Sequence, residues 1–167
     1  WGGSDWGIHV SSDVNYALGG WDGGATDAGV LSAKVYEAYA STDLMGFANL
    51  TVGRQALDYG SGAIMSSNQF GTRTTWDGMK FDLGLDMADI TFGYAGKNLG
   101  EADVADGGLG ETKGATMYIN VNKADGDWSA NLLYGKSTAT LGGVDQDDAS
   151  AMGLDLSYAM MGGDLNL

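Results

Sequence analysis

The feature of this sequence that most constrains its fold is a strict alternation of apolar and polar residues in the run MKFDLGLDM, at positions 79–87. Every odd position of the run is apolar, and the even positions hold Lys80, Asp82, Gly84 and Asp86. Successive side chains of a β-strand point to opposite faces, so a strand of this sequence has one apolar face and one polar, charged face. The run therefore predicts an amphipathic strand.

The same period of two recurs in five other segments, which are 5–18, 88–97, 115–123, 128–136 and 151–160. Three residues break it: Ser12 falls in the apolar set of its segment, and Tyr118 and Leu133 fall in the polar sets of theirs. Each segment has roughly the 9–11 residues that a tilted strand needs to cross a bilayer. Segments 31–40 and 47–57 are strand-like in composition but mix their faces.

Arg54 is the residue that conflicts most with an apolar face in segment 47–57. It shares its parity with Leu50 and Val52. Either Arg54 lies beyond the apolar band, or a β-bulge shifts the register nearby, and the sequence leaves both alternatives open.

The connections between these segments alternate in length. Tight, turn-forming links occur at 44–46, 87–88, 124–127 and 161–163. Long links rich in Gly, Asp, Ser and Thr occur at 19–30, 58–76, 98–114 and 137–150. Transmembrane β-barrels have short turns on the periplasmic side and long loops outside, so the alternation predicts about nine strands in an up-and-down meander.

Composition limits the alternatives. The 167 residues suit a single domain spanning 1–167, and no stretch sustains a helical period or approaches the ~20 apolar residues of a membrane helix. The absence of Cys excludes disulfides and thiolate metal sites, and the absence of Pro suits uninterrupted strand ladders.

The two ends of the sequence suggest a barrel fragment. The sequence begins without an initiator Met or a signal peptide, and its last residues, DLNL, resemble the start of a further strand. Single-chain bacterial barrels have even strand numbers, and an open edge in lipid leaves backbone groups unpaired. We expect a piece of a larger barrel, or edges completed by other copies.

Aromatic residues of the apolar sets fall near both ends of the predicted strands. Trp6, Trp128 and Tyr158 lie near the short turns, and Tyr16, Tyr94 and Tyr134 lie near the long loops. Two such belts are typical of proteins whose strands cross a membrane.

Residues 36–83 contain four short motifs in order. These are Glu37-Ala38-Tyr39, Gly53-Arg54-Gln55, Tyr59-Gly60 and Trp76-Asp77-Gly78. Together they resemble the signature region of bacterial outer-membrane porins, especially the alginate-export-like barrels of Bacteroidetes and Proteobacteria. The resemblance covers under a third of the chain. It implies an outer-membrane location and, with the strand pattern, an all-β, antiparallel transmembrane β-barrel, here a partial barrel of about nine strands.

The charge balance departs from that of an exporter of an anionic polymer. Such a channel is expected to be lined by Lys and Arg, whereas this chain has Lys+Arg 8 against Asp+Glu 22 and a net charge of −14. We therefore expect passive diffusion of small hydrophilic solutes with a weak preference for cations. The candidate pore-lining or constriction residues are Arg54, Arg73, Asp77, Lys80, Asp82, Asp86 and Asp89.

The long loop at 59–76 is the best candidate for a segment that folds into the channel. If it does, Arg73, and Arg54 with it, should oppose the acidic residues of the polar face.

Two other classes of protein compete with a pore. One is a structural or self-assembling outer-membrane barrel without transport activity, and the other is a soluble lipocalin-like barrel with an apolar interior. Enzymatic readings are weak, because His9 has no metal partner near it in sequence and no serine lies in a nucleophile-elbow context. We expect no cofactor and no metal. The expected partners are membrane lipid, lipopolysaccharide, small solutes and further copies or a larger outer-membrane complex; the negative charge argues against nucleic acid.

Overall fold

The architecture was obtained from a computed structural model, which describes residues 1–16, 31–69, 72–101, 111–141, 144–160 and 163–166. Nine strands form the path of one large sheet: β1 (Trp6–Tyr16), β2 (Leu31–Leu44), β3 (Ala48–Gln55), β6 (Trp76–Gly84), β7 (Asp89–Glu101), β8 (Glu111–Asp125), β9 (Trp128–Leu141), β11 (Ala149–Met160) and β12 (Gly163–Asn166). Three two-residue strands complete the set: β4 (Asn68–Gln69), β5 (Thr72–Arg73) and β10 (Val144–Asp145).

All neighbouring strands of the large sheet are antiparallel and pair in sequence order, with β10 added beside β9 and with β4 and β5 forming a separate pair. The predicted all-β, nine-stranded meander is confirmed at this level. Among the described residues β1 and β12 are the edges and do not pair with each other, so the sheet is not closed. No helix that could span a membrane occurs in the described part of the chain.

From β1 to β11 the short-turn ends of the strands shift in one direction relative to the register rows, although two strands joined by a short turn end level with each other. One register row begins at Trp6, the first residue of β1, and continues through Thr42, Leu50, Phe81, Phe92, Ile119 and Tyr134 to Met152. In β11 the strand continues past this row to Met160. A stagger of this kind accompanies the strand tilt of barrel-like sheets.

A β-bulge explains the mixed faces of segment 31–40. Ser12 pairs with Val35 and Ser11 pairs with Glu37, so Tyr36 is an extra residue in β2. The bulge changes the parity of the residues that follow it, as the one-residue insertion requires.

In β3 no register shift separates Leu50 from Arg54. Arg54 therefore keeps the parity of Leu50 and Val52 and lies at the end of their band, which decides between the two alternatives.

The turn after β6 differs from its prediction. The strand ends at Gly84, and Leu85 and Ala88 exchange backbone hydrogen bonds of 3.2 Å in both directions. Asp86 and Met87 therefore form the tip of a two-residue hairpin instead of continuing the strand. The predicted turn at 44–46 lies one residue later and is closed by the Phe47 N–H, which donates to the Leu44 carbonyl at 3.1 Å.

The two faces of the sheet differ as the alternation predicts. On the apolar-parity face, large side chains are exposed, with Met152 at 72%, Leu154 at 57% and Met117 at 55%. On the opposite face Tyr118, Asn120 and Leu133 are buried. In the described part of the chain no second sheet covers the apolar face.

Candidate functional site on the polar face of the sheet

Four polar residues form one register row across the polar face. Asp89 of β7 pairs with Asn122 of β8, Asn122 pairs with Asn131 of β9, and Asn131 pairs with Asp155 of β11. Residues that are paired in register point to the same side of a sheet, so the four side chains stand next to one another. We call this set, Asp89, Asn122, Asn131 and Asp155, the polar row.

The next row on the same face of the sheet contains Asn120, whose side-chain amide is hydrogen-bonded to the polar row. Asn120 donates to Asn131 Oδ1 at 2.9 Å and to the Leu132 carbonyl at 3.2 Å, and Asn131 Nδ2 donates back to Asn120 Oδ1 at 3.2 Å. The paired amides fix each other's orientation, because each one both donates and accepts.

The segment 56–67, which follows β3, packs onto this polar face. Leu57 and Met65 form a buried cluster with Ala95, Tyr118 and Leu133, and Tyr59, Ile64 and Trp76 pack around it. We call residues 56–67 the inner loop. Part of the long loop thus lies against the polar face, and its expected role in narrowing a channel stays a prediction.

The tip of the inner loop makes close contact with the sheet. Tyr59 Oη donates to Tyr118 Oη at 3.3 Å, and the two rings lie 5.3 Å apart. Gly60 has φ +57° and faces Asp155 and Asn131 so closely that a Cβ there would contact the Asp155 carboxylate and lie 2.9 Å from Asn131 Oδ1. Only glycine adopts this backbone conformation without strain and also leaves this space free.

Asp58 organises the inner loop internally. Its carboxylate accepts from Ser66 Oγ at 3.0 Å, from the Ser67 N–H at 2.7 Å and from the Ser67 hydroxyl. Partial burial acts to raise the pKa of Asp58, but the hydrogen bonds from Ser67 and Ser66 outweigh it and hold the pKa below its ordinary value.

The pKa of Tyr59 is shifted upward, in the direction opposite to that of Asp58. Burial is the main cause, and the neighbouring Tyr118 and the carboxylates of Asp82 and Asp58 add to it, so the pKa of the Tyr59 phenol is raised well above its ordinary value. The hydroxyl therefore stays protonated and remains a hydrogen-bond donor.

A cavity of about 970 Å³ lies between the inner loop and the polar row. Its lining includes all four residues of the row, together with Asp58, Tyr59 and Ser61 of the loop. Three carboxylates contribute to the lining, from Asp58, Asp89 and Asp155, and no Lys or Arg occurs among the described lining residues.

Three of the candidate pore residues from the sequence lie on the polar face. Lys80 forms an ion pair with Asp82 at 3.0 Å, Thr91 Oγ1 donates to Asp82 at 2.6 Å, and Asp89 belongs to the polar row. The structure thus brings Asp82 and Asp89 to the same side of the sheet.

The other candidates are placed elsewhere. Arg54 donates to both Asp77 carboxylate oxygens, at 2.8 and 2.9 Å, and register puts this pair on the apolar-parity face at the end of its band. The expectation that Arg54 would oppose the acids of the polar face is therefore wrong. Asp86 lies at the tip of the short turn. Arg73 belongs to β5, and its side chain is outside the described residues.

His9 has neighbours that the sequence did not reveal. Its ring stacks on Tyr39 with centroids 4.9 Å apart, and Nε2 lies 3.4 Å from Glu37 Oε2. No group of three or more His, Asp and Glu residues suited to a metal ion occurs among the residues whose structure is described.

Sequence reasoning assigned Asn120, Asn122 and Asn131 to polar strand positions but did not single them out as a site. A row across strands depends on register, which a single strand's sequence does not specify. Tyr118 and Leu133 carried a usable signal, because apolar side chains at two polar-parity positions indicate that a segment covers that face.

Comparison of the chain with protein-family models, with curated proteins and with solved structures finds no match. The porin resemblance of residues 36–83 stays a prediction.

Proposed function

We propose that this chain is part of an outer-membrane β-barrel pore through which small hydrophilic solutes diffuse passively. The proposal rests on one observation, which is that the two faces of one staggered sheet differ in polarity. Large apolar side chains are exposed on one face, and polar side chains with a cavity occupy the other. Lipid suits the first face and a solute path suits the second.

The proposal requires further strands. An uncovered sheet edge in lipid leaves backbone N–H and C=O groups without partners, at several kcal/mol for each group. Since β1 and β12 are edges in the described sheet, additional strands from a longer chain or from other copies would complete the barrel. The resemblance to outer-membrane porins agrees with this arrangement, with lipid and lipopolysaccharide as its surroundings.

A weak preference for cations follows from the charges of the polar face. In the described part of the polar face the bases are Lys34 and Lys80, the latter paired with Asp82, and the acids that outnumber them include Glu37, Asp82, Asp89 and Asp155. At physiological ionic strength the screening length is about 8 Å, so the preference should fade as salt rises.

Single-channel recording of the purified protein in a planar lipid bilayer tests the pore. We expect stepwise conductance and, across a salt gradient, a reversal potential of the sign that indicates cation preference. Asp82→Asn should shift that potential toward anion preference, whereas Asp125→Asn at the short turn between β8 and β9 should leave it unchanged. Insertion into vesicles without any conductance would contradict the pore.

A structural barrel without transport activity is the second candidate. The observation that favours it is the inner loop, which covers Tyr118 and Leu133 on the face that would line a channel. Absence of conductance in wild type, together with conductance after removal of residues 58–66, would support this alternative.

A further inference from the structure

The polar row has a composition that suits a ligand with many hydroxyl groups. Neighbouring strands lie about 4.8 Å apart, so the two carboxylates at its ends are separated by roughly 14 Å, with two amides between them. Carboxylates only accept hydrogen bonds, whereas amides both donate and accept. A ligand in the cavity would meet the Asp89 carboxylate and the Asn122 amide at one end of the row, and the Asn131 amide and the Asp155 carboxylate beside Gly60 at the other.

Further hydroxyl groups border the row. Ser129 and Ser157 pair in register on one side of it, and Thr91 lies on the other side. All three line the same cavity, and Tyr59 adds a ring to its wall. The cavity volume of about 970 Å³ falls within the roughly 300–1,000 Å³ that is typical of small-molecule sites.

The charges of the cavity argue against two other ligand classes. An anionic solute would meet three carboxylates without any described Lys or Arg in the lining. An inorganic cation is best held by several charged ligands close together, and the described residues contain no group of three or more Asp, Glu and His side chains that could hold one. Most of the polar lining consists of amides and hydroxyls, which suit an uncharged partner.

We infer that the cavity between the inner loop and the polar row binds an uncharged, polyhydroxylated solute, that is, a saccharide without acidic groups. The inference rests on the proposed function, since it names the class of solute that would follow the polar face. It also makes Asn122 and Asn131 the specificity-determining residues, because they supply the donors that a carboxylate lacks.

Titration calorimetry of the detergent-solubilised protein tests binding independently of conduction. The probes are maltotriose as the neutral sugar, spermidine as an organic cation and trigalacturonate as an anionic sugar. Of the three probes, we expect only maltotriose to bind saturably. Asn122→Ala should weaken the affinity for maltotriose about five- to tenfold, which corresponds to the loss of one or two hydrogen bonds. Asn49→Ala, on the polar-parity side of β3 and away from the cavity, should leave binding unchanged.

Asn122→Asp separates the ligand classes while keeping the side-chain shape. It removes a donor and adds a carboxylate, so maltotriose should bind less tightly in this variant. Tight binding of spermidine to wild type, strengthened by Asn122→Asp, would overturn the inference in favour of an organic cation. Conductance without binding of maltotriose would overturn the inference and leave the pore intact. Binding of maltotriose without conductance would leave the inferred site and refute the pore.

Discussion

Two residues of the inner loop, Gly60 and Asp58, hold it in place by different means. Gly60 combines a left-handed backbone with contact to Asp155 and Asn131, whereas Asp58 ties the two ends of the loop together through Ser66 and Ser67. Neither role is visible in a linear sequence, because each depends on which residues the fold brings opposite them.

The contact at Gly60 can be separated from its backbone conformation. Gly60→Ala should destabilise the loop more than Gly126→Ala destabilises its turn, because Gly126 has a similar φ of +60° but nothing within 4 Å of its Cβ position. The strain common to both is about 1–2 kcal/mol. Relative to wild type, limited proteolysis should therefore accelerate more within residues 56–67 in Gly60→Ala than within residues 124–129 in Gly126→Ala. Equal accelerations at the two sites would show that the contact with Asp155 adds nothing to the backbone strain.

The hydrogen bonds to Asp58 predict an acid-sensitive inner loop. Because the pKa of Asp58 lies below its ordinary value of 3.8 in the folded protein, its contribution to stability is complete above pH 3.8. It is lost as the pH falls through the lower folded pKa. Ser67→Ala should raise the pKa of Asp58 toward 3.8, as measured by carbon-detected NMR titration of the carboxyl group. An unchanged pKa in this variant would contradict the assigned cause.

At the scale of elements, the inner loop depends on the burial of a few apolar side chains. Leu57→Ala should destabilise the packed inner loop by about 2 kcal/mol. This value is at the lower end of the cost of truncating a buried leucine, because the cluster lies on an open face of the sheet. Hydrogen exchange at the Tyr59 amide, which donates to the Met65 carbonyl, should accelerate about thirtyfold. Val144→Ala, at a residue that is 64% exposed, is the control and should have no effect.

The strands and their order were predictable because a period of two and alternating connection lengths are local properties. The β-bulge at Tyr36 was not, since it is defined by the partner strand: Ser11 and Ser12 must pair with residues on either side of it. The end of β6 was missed for a related reason. Leu85 and Met87 continue the apolar alternation, but the hairpin bonds between Leu85 and Ala88 determine the turn.

The candidate site was predictable only in part. The positions of Asp82 and Asp89 on the polar face followed from parity, whereas the inward fold of the long loop was expected from the resemblance to porins. The polar row required the register of four strands at once, and the Arg54–Asp77 pair required the register between β3 and β6. Tyr118 and Leu133 disagreed with their strand patterns because they pack against the inner loop.

At the scale of the whole molecule, the exposed apolar face separates a membrane protein from a soluble one. Leu154 lies between Ser150 and Tyr158 on that face of β11 and is 57% exposed. In a soluble protein Leu154→Lys would place a charge in water at little cost. In a bilayer the same substitution near the midplane costs about 2–4 kcal/mol.

Equilibrium unfolding in urea, with the protein folded into lipid vesicles, measures that difference. Leu154→Lys should lower the free energy of unfolding by about 2–4 kcal/mol, and Ala151→Lys, an exposed position on the polar face of the same strand, should change it by less than about 1 kcal/mol. The two effects differ because the side chain at position 154 enters lipid, whereas the side chain at position 151 enters water on the other face of the same strand. A loss of less than about 1 kcal/mol for both lysines would show that both faces meet water, and the sheet would then not cross a membrane.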